Sequence, residues 1–103
     1  SKGDFFSNFS FKEIVDMCLG LLNLKHGLEK FPIELTIEND ADTIYGVKSQ
    51  IMESIYNLLD NAYEATLDVI NSLSPDKRQS FTPLIKVKLY RVSKTSFIEV
   101  SDN

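Results

Sequence analysis

The chain has 103 residues, of which 43% are hydrophobic and 25% charged. That balance suits one small folded domain and excludes a disordered segment. A net charge of −4 argues against a nucleic-acid groove, which calls for basic surface. The single cysteine, Cys18, excludes an internal disulfide and a cysteine-rich metal centre, and suits a reducing compartment. No apolar run approaches the roughly 18 residues of a membrane span.

Residues 1–9, SKGDFFSNF, read as an arm or an edge strand. Ser10 followed by Glu13 is a capping-box signature, so a helix is expected over 11–26. Ile14, Cys18, Leu21 and Leu22 recur at helical spacing along it. Lys25 and His26 fall in its last turn, where cations complement exposed carbonyls. Gly27 suits the left-handed position that ends helices, and Pro32 bars any continuation. IELTI, 33–37, alternates like a half-buried strand. ENDAD, 38–42, is turn chemistry, and 43–45 is a short strand punctuated by Gly46.

From Val47 the apolar period becomes helical. Val47, Ile51, Ile55, Leu58, Leu59, Ala62, Thr66, Val69, Ile70 and Leu73 share one face, which predicts a helix over 47–72. SPDKRQSFTP, 74–83, reads as a polar loop in which Lys77 and Arg78 are solvated charges. LIKVKLYRV and FIEVSDN then predict strands near 84–92 and 97–101, joined at Ser93–Ser96 as a hairpin. Asp102 has the parity of Ile98 and Val100, so it is expected on the apolar side of the sheet.

NLLDNAYEA, Asn57 to Ala65, holds the residues with the most chemistry. Asparagine is a mediocre helix former because its side chain competes for backbone hydrogen bonds. Here two stand four residues apart. On a wheel of about 100° per residue, Asn61 borders the apolar stripe beside Leu58 and Ala65. Asn57 lies further round, with Glu53, Glu64 and Asp68. Amide oxygens are hard ligands suited to magnesium, and amide groups can bond phosphate oxygens. On spacing alone, a solvated helix face that happens to carry Asn, Asp and Glu is the favoured explanation.

QIMESIYNLLDNAYEAT resembles the N box of the ATP-binding catalytic domain of sensor histidine kinases. IEVSDN is similar to the strand leading into that domain's first glycine box. The wider superfamily is the GHKL ATPases, which include gyrase and MutL. NAxEA looks closest to histidine kinases of the nitrogen-regulation and sporulation type. The resemblance spans nearly the whole chain. It implies an α+β fold, a two-layer α/β sandwich with helices 11–26 and 47–72 on one face of a single mixed sheet. Residues 1–103 would form one incomplete ATP-binding domain ending inside the first glycine box. The fragment itself is then expected to be inactive, and the strand 97–101 to become an edge that promotes self-association.

The resemblance also implies an activity and a site. The parent protein would be a histidine protein kinase of a two-component signal-transduction system. With ATP and magnesium it would phosphorylate a histidine on a separate dimerisation helix, and a response regulator would act downstream. The domain would be cytoplasmic, in a parent that is membrane-attached or not. Cofactor contacts fall at Asn57, Asn61, Ala65 and Asp102. Asn61 would ligate magnesium, Asn57 would sit by the phosphates, and Asp102 would bond the adenine amino group. Glu53 is the residue that would polarise the acceptor. Gyrase-like members carry a glutamate base where Asn57 stands, and many kinases carry a lysine where Glu64 stands, so those two roles are not implied. His26 lacks phosphoacceptor-motif neighbours and is not read as the acceptor. Two alternatives remain: another GHKL class, such as an anti-sigma-type serine kinase or a mechanical ATPase, and a non-catalytic module.

Overall fold

The computed structural model describes residues 5–38 and 42–103. The elements run β1 (Phe6–Ser10), α1 (Phe11–His26), β2 (Ile33–Ile37), β3 (Thr43–Val47), α2 (Lys48–Ser72), α3 (Pro75–Ser80), β4 (Ile85–Val92) and β5 (Thr95–Asp102). This is an α+β arrangement with helices packed on sheets.

Local chemistry sets the limits of α1. Ser10 is its N-cap, and its Oγ accepts a hydrogen bond from Glu13 N at 3.3 Å. Asp42, at the start of β3, completes the cap from across the chain. Its backbone oxygen accepts from Phe11 N at 2.8 Å and its Oδ1 from Lys12 N at 3.1 Å. Three donors that the helix itself cannot satisfy are thereby paired. At the other end Gly27 adopts φ 66°, ψ 32°, and Leu28 N donates to Asn23 O at 2.8 Å. Asn23, Leu24 and Lys25 run straight into this left-handed stop.

The strands form two sheets, not the single mixed sheet expected. β1 and β3 pair antiparallel as a two-stranded ribbon. The second sheet has the order β2–β4–β5, with β2 parallel and β5 antiparallel to β4. The expected edge strand at the N-terminus is therefore β1, over Phe6–Ser10, while residues 1–4 lie outside the described set. Residues 39–41 of the expected turn do so as well. β5 pairs with β4 on one side, and no strand pairs with its other edge among the described residues.

Ile85, Val87 and Leu89 of β4 are fully buried, and they meet Phe11, Ile14, Val15, Cys18 and Leu22 of α1 and Ile55, Leu59, Ala62 and Tyr63 of α2 in one core. Thr66 is the polar residue of this stripe, and its Oγ1 donates to Ala62 O at 2.8 Å. That bond lets a hydroxyl sit in an apolar seam at little cost. The outer side of the sheet carries Glu34, Lys86 and Glu99, all exposed.

Three expectations change. Leu21 of α1 is 50% exposed, and Leu58 and Val69 of α2 are 44% and 39% exposed. Each is at helical spacing, but the sheet is too narrow to cover a stripe that wide. The hairpin turn is the two residues Ser93 and Lys94, because Val92 pairs with Thr95; Ser93 takes the positive φ of 57° that a tight turn needs. The polar loop 74–83 contains a helix, α3. Ser74 is its N-cap, Pro75 fills its first turn, and Ser74 Oγ accepts from Lys77 N. Arg78 is not merely solvated: its Nε donates to Ile70 O at 3.2 Å and its Nη2 to Leu73 O at 3.3 Å. It thus caps the carbonyl end of α2, whose own last turn carries no basic residue.

A Cβ at position 27 would meet no atom within 4 Å, so only its backbone conformation resists substitution. Gly27→Ala should cost about 1–2 kcal/mol, the strain of a left-handed L-residue. The measurement is a lowered urea midpoint with an unchanged slope; an unchanged midpoint would show that the chain relaxes out of this cap.

Candidate functional site

The edge of α2 that carries the two asparagines is open to solvent. Asn57, Asn61 and Ala65 are exposed on successive turns, flanked by the partly exposed Leu58 and Val69. The buried stripe of Ile55, Leu59, Ala62, Tyr63 and Thr66 faces away from them. So α2 presents a wall that is amide-bearing along one line and apolar along the next. Glu53 is exposed one turn before Asn57, and Glu64 is exposed on the turn after Asp60.

Asp102 pairs with Ile85 across β4–β5. Directly opposed residues share a sheet face, and Ile85 is fully buried beneath the helices. The carboxylate of Asp102 therefore belongs to the helix-covered side, as parity predicts, at the last position of β5 and exposed there. α2 packs against β5, which brings both sets of residues to the same side of the sheet. Asn103 anchors the strand end next to Asp102. Its Oδ1 accepts from Leu84 N at 2.8 Å and its Nδ2 donates to Thr82 O at 2.9 Å. A small hollow beside Asp102 is lined by Leu84, Lys86, Ser101 and Asn103. This hollow adjoins a larger groove on the solvent-facing side of the sheet, between Glu34, Lys86, Lys88 and Glu99, and shares Lys86 and Ser101 with it. Lys88 there pairs with Glu38 at 3.3 Å and sits over the Tyr90 ring at 5.1 Å, so its charges are satisfied locally.

The tightest polar cluster was not legible as a unit. His26, from the end of α1, has Nε2 2.9 Å from Asp60 Oδ1, and Lys25 Nζ lies 2.6 Å from Asp60 Oδ2. A carboxylate can only accept, so the imidazole donates from Nε2. Tyr63 completes the seam. Its ring stacks on His26 and Phe31 with centroids 5.6 and 4.7 Å apart, and its hydroxyl donates to Asn23 Oδ1 at 3.0 Å. Burial pushes the Tyr63 hydroxyl up to about 12.

His26, Asp60 and Glu64 bring one ligand atom each within 4.8 Å of one another. Lys25 Nζ already stands among them, 2.6 Å from Asp60 and 3.8 Å from Glu64. A fixed ammonium repels a divalent ion from the same carboxylates, so the cluster is an ion-pair clamp between α1 and α2. The hydrogen bond from Lys25 holds the Asp60 carboxyl below its ordinary range, and Asp60 in turn raises Lys25. His26, which the sequence marked only as a helix-end cation, has its partner 34 residues away.

No protein-family model matches the chain, and a search of curated proteins returns no match.

The folded carboxyl of Asp60 is lowered, so its contribution to stability is complete above the ordinary value of 3.8. It is lost as pH falls through that value to the lowered one. The gap in urea midpoint between wild type and Asp60→Asn should thus be constant near neutrality and shrink below about pH 4. A gap that persists unchanged in acid would mean that the charge of Asp60 contributes nothing.

Proposed function

We propose that this chain supplies one wall of a magnesium–ATP site of the histidine-kinase type, within the GHKL ATPase superfamily. The observation that carries the reading is the exposed edge of α2, together with the packing of α2 on β5. Two amide side chains on successive turns stand exposed beside an exposed apolar line, and a carboxylate stands at the end of β5, on the sheet face that α2 covers. An adenine nucleotide needs those features together: an apolar surface for the base, an acceptor for its amino group, and amides for the phosphates.

The residues fit the group. Asn61 would hold magnesium through its amide oxygen, and Asn57 would bond phosphate oxygens. Ala65 and the neighbouring Leu58 leave room and apolar contact for the nucleotide. Asp102 would accept from the adenine amino group. Bound magnesium would neutralise phosphate charge during phosphoryl transfer. The transfer would run to a histidine on a separate dimerisation helix, with Glu53, exposed one turn before Asn57, oriented toward the acceptor. A response regulator would receive the phosphoryl group, and the domain would be cytoplasmic. Among the described residues no helix is long and apolar enough to cross a membrane, which is compatible with that placement. The edge of β5 that no strand pairs with among the described residues, together with the partly exposed Phe97, supports self-association of the chain.

Binding of a non-hydrolysable ATP analogue by the natural full-length protein tests the reading. Affinity should depend on magnesium, and Asn61→Ala should abolish that dependence. Asp102→Ala should lose the preference for adenine over guanine nucleotides, by about 10–100-fold for one buried polar contact. A correctly folded protein that binds no adenine nucleotide overturns the proposal. Light scattering on this chain checks self-association separately, and a clean monomer at high concentration would refute it.

A further inference from the structure

The direction in which Asn57 and Asn61 face depends on how α2 is rotated about its own axis. Val47, its N-cap, contributes no side-chain hydrogen bond, and the first turn holds no acidic residue. The buried stripe is mostly apolar, and apolar burial is non-directional. Any rotation of the helix swings the exposed edge with it.

A directional contact stands at mid-helix. Asp60 immediately precedes Asn61 and follows Asn57 by three residues, so all three share about one turn of α2. Both of its oxygens are held, Oδ2 by Lys25 Nζ and Oδ1 by His26 Nε2. The side chains of Asp60 and His26 are only 16% and 12% exposed, so this pair is shielded from most of the solvent. The two partners come from adjacent residues in the last turn of α1, which Gly27 ends at a fixed point. Glu64, one turn further along α2, lies 3.8 Å from the same ammonium and extends the grip along the same side. Two donors from one rigid helix end, bonding two oxygens of one carboxylate, leave α2 little freedom to turn.

We infer that Asp60 is a positioning residue: gripped by Lys25 and His26, it sets the rotation of α2 and so the orientation of the Asn57–Asn61 edge. The inference rests on the nucleotide reading of that edge. It assigns to the α1–α2 clamp the task that groups behind a metal ligand perform elsewhere, which is to aim the ligand.

The test uses the natural full-length protein. Binding of a non-hydrolysable ATP analogue is measured with and without magnesium. The side-chain amide NMR signals of Asn57 and Asn61 are measured without nucleotide. Asp60→Ala should weaken magnesium-dependent binding about tenfold, as removal of a ligand-orienting group does. It should shift both asparagine signals and leave magnesium-independent binding largely unchanged. Lys25→Met alters a half-exposed side chain, and should act in the same direction with a smaller effect. The swap Lys25→Asp with Asp60→Lys should restore magnesium dependence, because it rebuilds the ion pair between α1 and α2 with its ends exchanged. A merely structural role would lower the unfolding midpoint and leave magnesium dependence and asparagine signals intact in the folded variants. That result, with the wild type binding nucleotide, overturns the positioning role and leaves the nucleotide reading standing. A wild type that binds no nucleotide overturns both.

Discussion

Everything here depends on α2 burying one narrow stripe while keeping its opposite edge clear. Ile55, Leu59, Ala62, Tyr63 and Thr66 are the residues it gives up to the core. The three-stranded sheet offers them the fully buried Ile85, Val87 and Leu89, flanked by the partly buried Ile33, Leu35 and Ile37 of β2 and Ile98 and Val100 of β5. The central row on β4 is the fully buried one, and both helices share it. They meet along a seam of mixed character: apolar beneath, where Cys18 and Leu22 lie in the core with Leu59, and polar above, where α1 ends against Asp60. The apolar part drives the contact, and the polar part gives it a direction. A buried apolar seam of this kind contributes roughly 1.5–3 kcal/mol per large side chain, well above what the ion pairs can add at a partly exposed position. Affinity between the helices and orientation of the helices thus come from different residues.

Much of the fold was legible. Ser10, Glu13 and Gly27 bracket α1 because capping is a local matter of one donor and one acceptor a few residues apart. The period of α2 gave both ends within a residue, and the two-residue alternation of β4 and β5 placed Asp102 on the correct face. What stayed hidden is long-range. Nothing in FSNFS or TIYGV says that these strands pair with each other apart from the main sheet. Leu58, Leu21 and Val69 read as core because a periodic pattern reports which residues are apolar, not what lies across from them. Lys25, His26 and Asp60 each have an ordinary local explanation, and only the packing of two helices joins them. Arg78 is a different case. Ser74, Pro75 and Asp76 form a helix-start signature, so α3 was readable and was taken for punctuation.

The candidate site was legible in part for the same reason. Asn57, Asn61 and Asp102 are distinguished by position within their own elements, which sequence supplies. Their shared side of the sheet depends on the β4–β5 register and on where α2 lies, which sequence supplies only through resemblance. Exposure is informative in its turn. A helix edge with Leu58, Ala65 and Val69 beside two amides is costly to leave in water, and the cost is offset when an amphipathic ligand or a further element covers it.

Asp42 has a consequence for how the chain acquires its order. It completes the first turn of α1 from a position 30 residues beyond Lys12. Ser10 can begin the cap as soon as it is made, but the second set of acceptors arrives only with β3. As the chain emerges from the ribosome, α1 is therefore a helix with a half-finished beginning until Asp42 follows. The same delay holds β1 unpaired, because its partner is the strand that Asp42 starts. Docking of β3 then settles two debts of the early chain in one step, and makes the ribbon and the first helix a single cooperative unit.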